Sequence, residues 1–137
     1  MSDHPQPQIK GGAICYFSVD GALKAVDFYK QAFAAKEAMV MPPDDKGRTM
    51  HAHLYINNGS VMFSDFFPEH GHCAVPPAGF NIMLKVDDAD AWHDRAVAAG
   101  ATTLMPVQNM FWGDRYGQVK DPFGVIWALN GPLKPEA

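Results

Sequence analysis

The stretch "AICYFSVDGALKAVDFYKQAFAA", Ala13 to Ala35, changes its period halfway along. "AICYFSV" is apolar and rich in aromatic and β-branched residues, the composition of a strand. Asp20-Gly21 breaks the run. From there Ala22, Val26, Tyr29 and Phe33 recur at helical spacing, and Asp20 stands where an N-cap is wanted. The same change recurs 67 residues further on, from Val19-Asp20 to Val86-Asp87. There "FNIMLKV" reads as a strand, Asp87 or Asp88 as the cap of "ADAWHDRAVAA", and Gly100 as the residue that stops that helix.

Three strand candidates follow each helix. After the first come "EAMVM", which stops at Pro42-Pro43, then "RTMHAHLYI" and "SVMFSDFF". "RTMHAHLYI" alternates, with Met50, Ala52, Leu54 and Ile56 on one face and Thr49, His51, His53 and Tyr55 on the other. Asn58-Gly59 signals the hairpin between the last two. After the second helix come "TTLMPV", interrupted by Pro106, then "FWGDRYGQVK" and "VIWALNG". Between these two, "DPFG" has Asp121, Pro122 and Gly124 at the preferred places of a type I turn. The chain therefore reads strand-helix-strand-strand-strand twice. Residue identity between the halves is poor, so the repeat is one of pattern. Two such units can close a sheet around a cavity that neither closes alone.

The 137 residues suit one domain, with modules at about 12–72 and 78–131, a Pro/Gly-punctuated linker, and loose N-terminal and C-terminal tails. A formal net charge of −4 with no basic stripe argues against nucleic acid as a partner. No apolar run is long enough to span a membrane. The start, "MSDHPQPQIKGG", has no apolar signal region, which suits a cytoplasmic protein. Cys15 and Cys73 are too few for a disulfide scaffold and lack the spacing of a metal knuckle, so both read as free thiols, Cys15 buried. No G-x-G-x-x-G follows a strand and no G-x-S-x-G appears, so neither a dinucleotide fold nor a nucleophile elbow is indicated.

"YFSVDGALKAVDFYKQAFAA", "MHAHLYINNGSVMFSD" and "FWGDRYGQVKDPFGVIWAL" together resemble the vicinal oxygen chelate superfamily, which includes glyoxalase I, bleomycin resistance proteins and extradiol dioxygenases. Within it the chain looks most like the PhnB-like branch, to which "WGDRYG…DPFG" is specific; "AVDFY…AF" is shared more widely. The match runs from Ala13 to Asn130. The resemblance implies an α+β fold of paired βαβββ modules, with one main helix each. They would form an open, eight-stranded, barrel-like cup, usually in a homodimer. Some PhnB-like relatives carry a methyltransferase name, but no glycine loop here suits S-adenosylmethionine.

The resemblance also implies where a divalent metal would be held: near the start of the first strand and in the last strand of each module. Matching strand landmarks puts these positions at Ile14, Phe63, Asn81 and Ala128. Three are apolar, and Asn offers one neutral carbonyl oxygen, a poor set for Zn, Ni or Fe. The expected reading is therefore a small organic ligand held in an aromatic-lined cup, with no cofactor required and a divalent metal disfavoured. The expected ligand wall is Trp112, Arg115, Tyr116, Phe63, Asn81 and Met83. Asn81, Met83 and Lys85 alternate with Ile82, Leu84 and Val86, which would face the helices. Arg115 has the fork to grip a carboxylate or a phosphonate-like oxyanion, with Asp114 beside it.

Two alternatives remain. One is a metal-dependent lyase or dioxygenase with displaced ligands at His51, His53 and Asp65. The histidines share a strand face, but Asp65 falls on the other. The second is a dimeric scaffold or regulatory protein with no pocket function. His70, His72 and Cys73 read as a solvated loop, Lys24, Asp27 and Lys30 as a solvated helix face, and Trp92 and His93 as a helix anchor and its neighbour.

Overall fold

The computed structural model describes residues 6–135. It contains two βαβββ modules in chain order. The first is β1 (Tyr16–Ser18), α1 (Ala22–Phe33), β2 (Lys36–Val40), β3 (Ala52–Ile56) and β4 (Gly59–Ser64). The second is β5 (Ile82–Lys85), α2 (Ala89–Ala99), β6 (Thr102–Asn109), β7 (Arg115–Lys120) and β8 (Ile126–Gly131). Each module makes one four-stranded mixed sheet, ordered β1-β4-β3-β2 and β5-β8-β7-β6. The expected eight strands are present as two sheets that do not close on each other into one barrel.

Each sheet turns one face to the helices. Phe17, Phe63 and Ala52 form one row across the first sheet, and Ile82, Trp127 and Val119 form one across the second. These residues share a core with Tyr29 and Phe33 of α1. Trp127 packs 4.7 Å from Phe33 and 5.1 Å from Tyr29 between ring centroids. The two modules therefore share one apolar interior, and α1 packs against α2.

Two buried aspartates bolt the loops to that interior. Asp65, just after β4, accepts from Gly21 N at 2.9 Å and Ala22 N at 3.0 Å, and through its second oxygen from Thr49 N at 2.8 Å. The expected N-cap, Asp20, does not cap α1. Gly21 does so with φ 104°, and the distant Asp65 carboxylate satisfies the amides at the helix start. Asp121 accepts from Phe123 N and Val125 N, each at 2.9 Å, from Tyr29 Oη at 2.6 Å, and from Trp127 Nε1 at 2.9 Å. It thus closes the "DPFG" turn, where Gly124 N donates to Asp121 O, and ties the second module to α1 of the first. In α2 the cap is Asp88, which accepts from Ala91 N, and Gly100 ends the helix.

Other expectations shift at their edges. β1 is shorter than Ala13–Val19, and β3 begins at Ala52 rather than Arg48. The Thr49 hydroxyl donates to Met41 O and its amide is spent on Asp65. The hairpin loop is Asn57-Asn58, both with positive φ, and Gly59 already belongs to β4. β6 continues through Pro106 because it is an edge strand that bulges between Met105 and Gln108. Opposite the bulge, a Cβ on Gly117 would sit 2.6 Å from Val107 Cγ2, so only glycine fits there. "FWGD" is not strand: Met110 N donates to Asp114 O, and Gly113 turns with φ 105°.

The tails are not loose over their described parts. Gln8 O accepts from Tyr55 Oη, and the backbone of Lys10 bonds Ser60 in both directions. Lys134 bonds Asn109 through its own N and O.

Candidate functional site

The faces turned away from the helices are the candidate site. Strand register defines them row by row. Across the first sheet, Tyr16, Met62, His53 and Met39 are successive neighbours. Across the second, the corresponding row is Met83, Ala128, Gln118 and Met105. Beside it runs Lys85, Asn130, Tyr116 and Gln108.

Phe63 is therefore not on this face. It pairs with Phe17, stacks on it at 5.2 Å, meets Tyr29 at 5.6 Å, and is fully buried against α1. Met62 takes the position expected of Phe63. With a side-chain period of two, one step along β4 separates the outward row from the core. Ala128 does share a face with Met83. Met83 is exposed, and Asn81 lies exposed immediately before β5.

Arg115 does not stand ready for a ligand. Its guanidinium clasps Asp90 in the first turn of α2 through Nε at 2.6 Å and Nη2 at 3.0 Å, and reaches Asn109 at 3.2 Å. Lys134 pairs with Asp90 as well. The Arg115 hydrogen bonds hold the Asp90 carboxyl far below the usual carboxylate range. This is a tie between β7, α2 and the chain's last described segment. The expected oxyanion clamp is thus engaged structurally. Asp114 contributes its backbone carbonyl to the preceding turn.

Trp112 and Tyr116 do come together. Their rings meet edge to face at 5.6 Å, Phe111 abuts Trp112 at 5.1 Å, and Gln118 Nε2 donates to Tyr116 Oη at 2.9 Å. Gln118 was not singled out in the sequence. It lies two residues past Tyr116 on β7, and alternation along the strand puts it on the same face.

The two histidines of the first sheet share a face but are engaged separately. His51 Nδ1 lies 3.1 Å from Tyr16 Oη, with the rings stacked at 5.7 Å. His53 Nε2 lies 2.7 Å from Ser60 Oγ, against Tyr55. Burial, and then the neighbouring His51, lower the His53 pKa, so the neutral ring is favoured. Asp65 is occupied at the helix start, on the far side of the sheet. No group of three or more His, Cys, Asp or Glu among the described residues could hold a metal ion. Met62 and Ala128 on the cup rows, with Ile14 and Asn81, do not form the donor set that a divalent ion needs. The residues present do not fit the metal that the resemblance implies.

Part of the first face is covered by the chain itself. Gln6, Pro7 and Ile9 lie over Met39, His51, His53 and Met62 and enclose a cavity of about 260 Å³. Lys10 Nζ sits 4.4 Å above the Tyr55 ring. Elsewhere, Trp92 stacks on Phe33 beneath Arg95, and His93 reaches Thr103. Lys30 pairs with Glu37. Cys15 is half-buried rather than buried and Cys73 is exposed; both are free thiols.

The paired βαβββ modules and these outward faces define the class. The chain belongs to the Glyoxalase/Bleomycin resistance protein/Dioxygenase superfamily, whose model matches residues 14–129. It is 42% identical over 122 residues to an uncharacterized protein of Mycobacterium bovis, covering 85% of this chain and 80% of that one. It is similar to the crystal structure of protein PA1353 from Pseudomonas aeruginosa, with 27% identity, a TM-score of 0.73, and coverage of 90% of this chain and 99% of that one. It also shares its fold with the PhnB protein from Bacillus cereus, at 20% identity, a TM-score of 0.66, and coverage of 88% and 98%. No helix among the described residues is long and apolar enough to cross a membrane.

Proposed function

We propose that this chain is a PhnB-like, cytoplasmic, small-molecule-binding member of the superfamily that works without the divalent metal of its enzymatic relatives. Two copies pair so that the Tyr16 side of one first sheet, left open by the Gln6–Ile9 cover, meets the Trp112–Tyr116–Gln118 face of the other, and a small organic ligand is held between them. The carrying observation is the composition of the two facing rows. One row carries Tyr16, Met62, His53 and Met39 and the other Met83, Ala128, Gln118 and Met105, thioether, aromatic and neutral polar groups, with Ala128 at one of the positions where the resemblance would put a metal ligand.

Exposed apolar side chains support the pairing. Tyr16 is 53% exposed, Met83 59% and Trp112 50%, an amount of open apolar surface on both faces that argues for a covering partner. Two free thiols suit a reducing compartment. Tyr116, Gln118 and Asn130 offer neutral hydrogen bonds, so the ligand is expected to be largely apolar with a few uncharged polar groups. Sequestration needs no more than this.

A thermal-shift panel of small molecules tests the reading. A ligand at about 100 times its Kd should stabilise the protein by about 2.7 kcal/mol. Tyr116→Ala and Trp112→Ala should remove that shift while leaving the unliganded melting temperature nearly unchanged. A dimer that gives no dose-dependent hit would favour a scaffold with no pocket function and overturn the ligand reading, and a monomeric mass in solution would overturn the pairing.

A further inference from the structure

A larger cavity lies beside the concave faces and not on them. It holds about 370 Å³ between the edge of β1 and the linker that joins the modules. Its apolar wall includes Phe17, Phe66, Val75, Pro77 and Phe80, and it meets the concave face of the first sheet only at Tyr16 and Ser18. A second cavity of about 300 Å³ shares Ser18, Phe66 and Val75–Pro77 with it and runs on to Phe123 and Gly124. The linker wall is stiff. Pro76 and Pro77 restrict its backbone, and Pro77 packs so close to Gly124 that an added Cβ would be 3.3 Å from its ring.

One polar pair stands in this apolar cleft. Ser18 Oγ lies 3.0 Å from His72 Nε2 and 3.4 Å from Ser64 Oγ. His72 is held in place from two sides: its backbone exchanges hydrogen bonds with Phe67, and its ring packs 5.2 Å from Phe66. The pair is chemically two-faced. With a neutral His72 whose Nε2 is bare, Ser18 donates to it and its oxygen accepts from a ligand hydroxyl. With a proton on Nε2, His72 donates and the serine hydroxyl turns to donate to a ligand oxygen. Among the described residues, no Lys, Arg, Asp or Glu lines the first cavity. A phosphate or a dianion would therefore lose its hydration without a countercharge.

We propose that the cleft between β1 and the inter-module linker is a second ligand site, taking a small, flat, mostly apolar molecule whose single polar edge, a phenol-type hydroxyl or a lone carboxylate, is met by Ser18 and His72. A volume of this size falls within the range of small-molecule sites. The proline-rich wall is formed before binding, so little ordering entropy opposes entry. The cleft touches the face proposed for pairing only at Tyr16 and Ser18.

Calorimetric titration of the full chain with 2-naphthol, 2-naphthoate and 2-naphthyl phosphate tests this. The first two should bind saturably, and the phosphate at least about tenfold more weakly. His72→Phe keeps the ring but removes the polar contact, and should weaken 2-naphthol about fivefold. Ala78→Trp fills the cleft from an exposed linker position and should weaken both ligands by about tenfold or more. Val97→Ala, at an exposed position of α2 outside both sites, should leave their affinity unchanged. Circular dichroism and melting temperature serve as folding controls for each variant. Absence of saturable binding by either uncharged or singly charged probe would overturn the proposal. So would binding that ignores Ala78→Trp, or binding that Val97→Ala abolishes.

Discussion

Replacing Asp121 with asparagine should cost this protein about 3–4 kcal/mol, far more than a loop substitution normally does. The carboxylate has four donors and no spare lone pair to waste. One oxygen takes Phe123 N and Val125 N; the other takes Tyr29 Oη and Trp127 Nε1. An asparagine whose oxygen keeps the two backbone amides must turn its own NH2 toward Tyr29 and Trp127. Tyr29 can adapt by accepting. The Trp127 indole can only donate, and it is fully buried. The change therefore loses two charge-assisted hydrogen bonds, worth roughly 1.5–3 kcal/mol each, and strands one donor, with partial recovery at Tyr29. For a chain of this size the melting temperature should fall by roughly 10 °C. Urea unfolding followed by tryptophan fluorescence reads the loss, because Trp127 sits in the shared core. Tyr29→Phe alone should cost less, and the double variant should show about 1–2 kcal/mol of coupling. A loss below about 1 kcal/mol for Asp121→Asn would refute the reading of Asp121 as the bolt between modules.

Two further outcomes follow from the same geometry. Phe63→Ala should destabilise by about 3–5 kcal/mol, whereas Met62→Ala one residue away should cost far less and instead change ligand affinity; chemical denaturation of both variants checks the register. His53 has a lowered folded pKa, so the unfolded chain binds its proton more readily. Stability from this group is present above about pH 6.5 and is lost as pH falls from there through the folded value. Melting temperatures between pH 7.5 and 5 should fall for the native chain, and the His53→Gln slope should be flatter.

The alternation of period, and its return 67 residues later, made the two modules legible in sequence. Met83 also followed from alternation, because a strand face is a local property. What failed was whatever depended on long-range pairing. Phe63 and Met62 differ by one step in a count, and only the β1–β4 register decides which faces the core. Arg115 reads as a free cation beside Asp114, but its partner, Asp90, lies 25 residues away in another element. Asp65 resembles a metal ligand because nothing local shows that Gly21, Ala22 and Thr49 converge on it. Polar groups whose partners are distant in the chain look available when they are not. The cover formed by Gln6–Lys10 belongs to the same kind, since a Pro- and Gln-rich start gives no local sign of the sheet beneath it.

The metal content of protein purified without an affinity tag, measured by inductively coupled plasma mass spectrometry on the assembled species, tests the central claim most directly. Divalent ions well below one per chain are expected, with no retention of added Zn, Ni, Mn or Fe after desalting, because Met62, Ala128, Asn81 and the separately engaged His51 and His53 offer no convergent ligand set. One tightly held divalent ion per chain, lost on His51→Ala or His53→Ala, would contradict the account and restore a metal-dependent reaction to this cup.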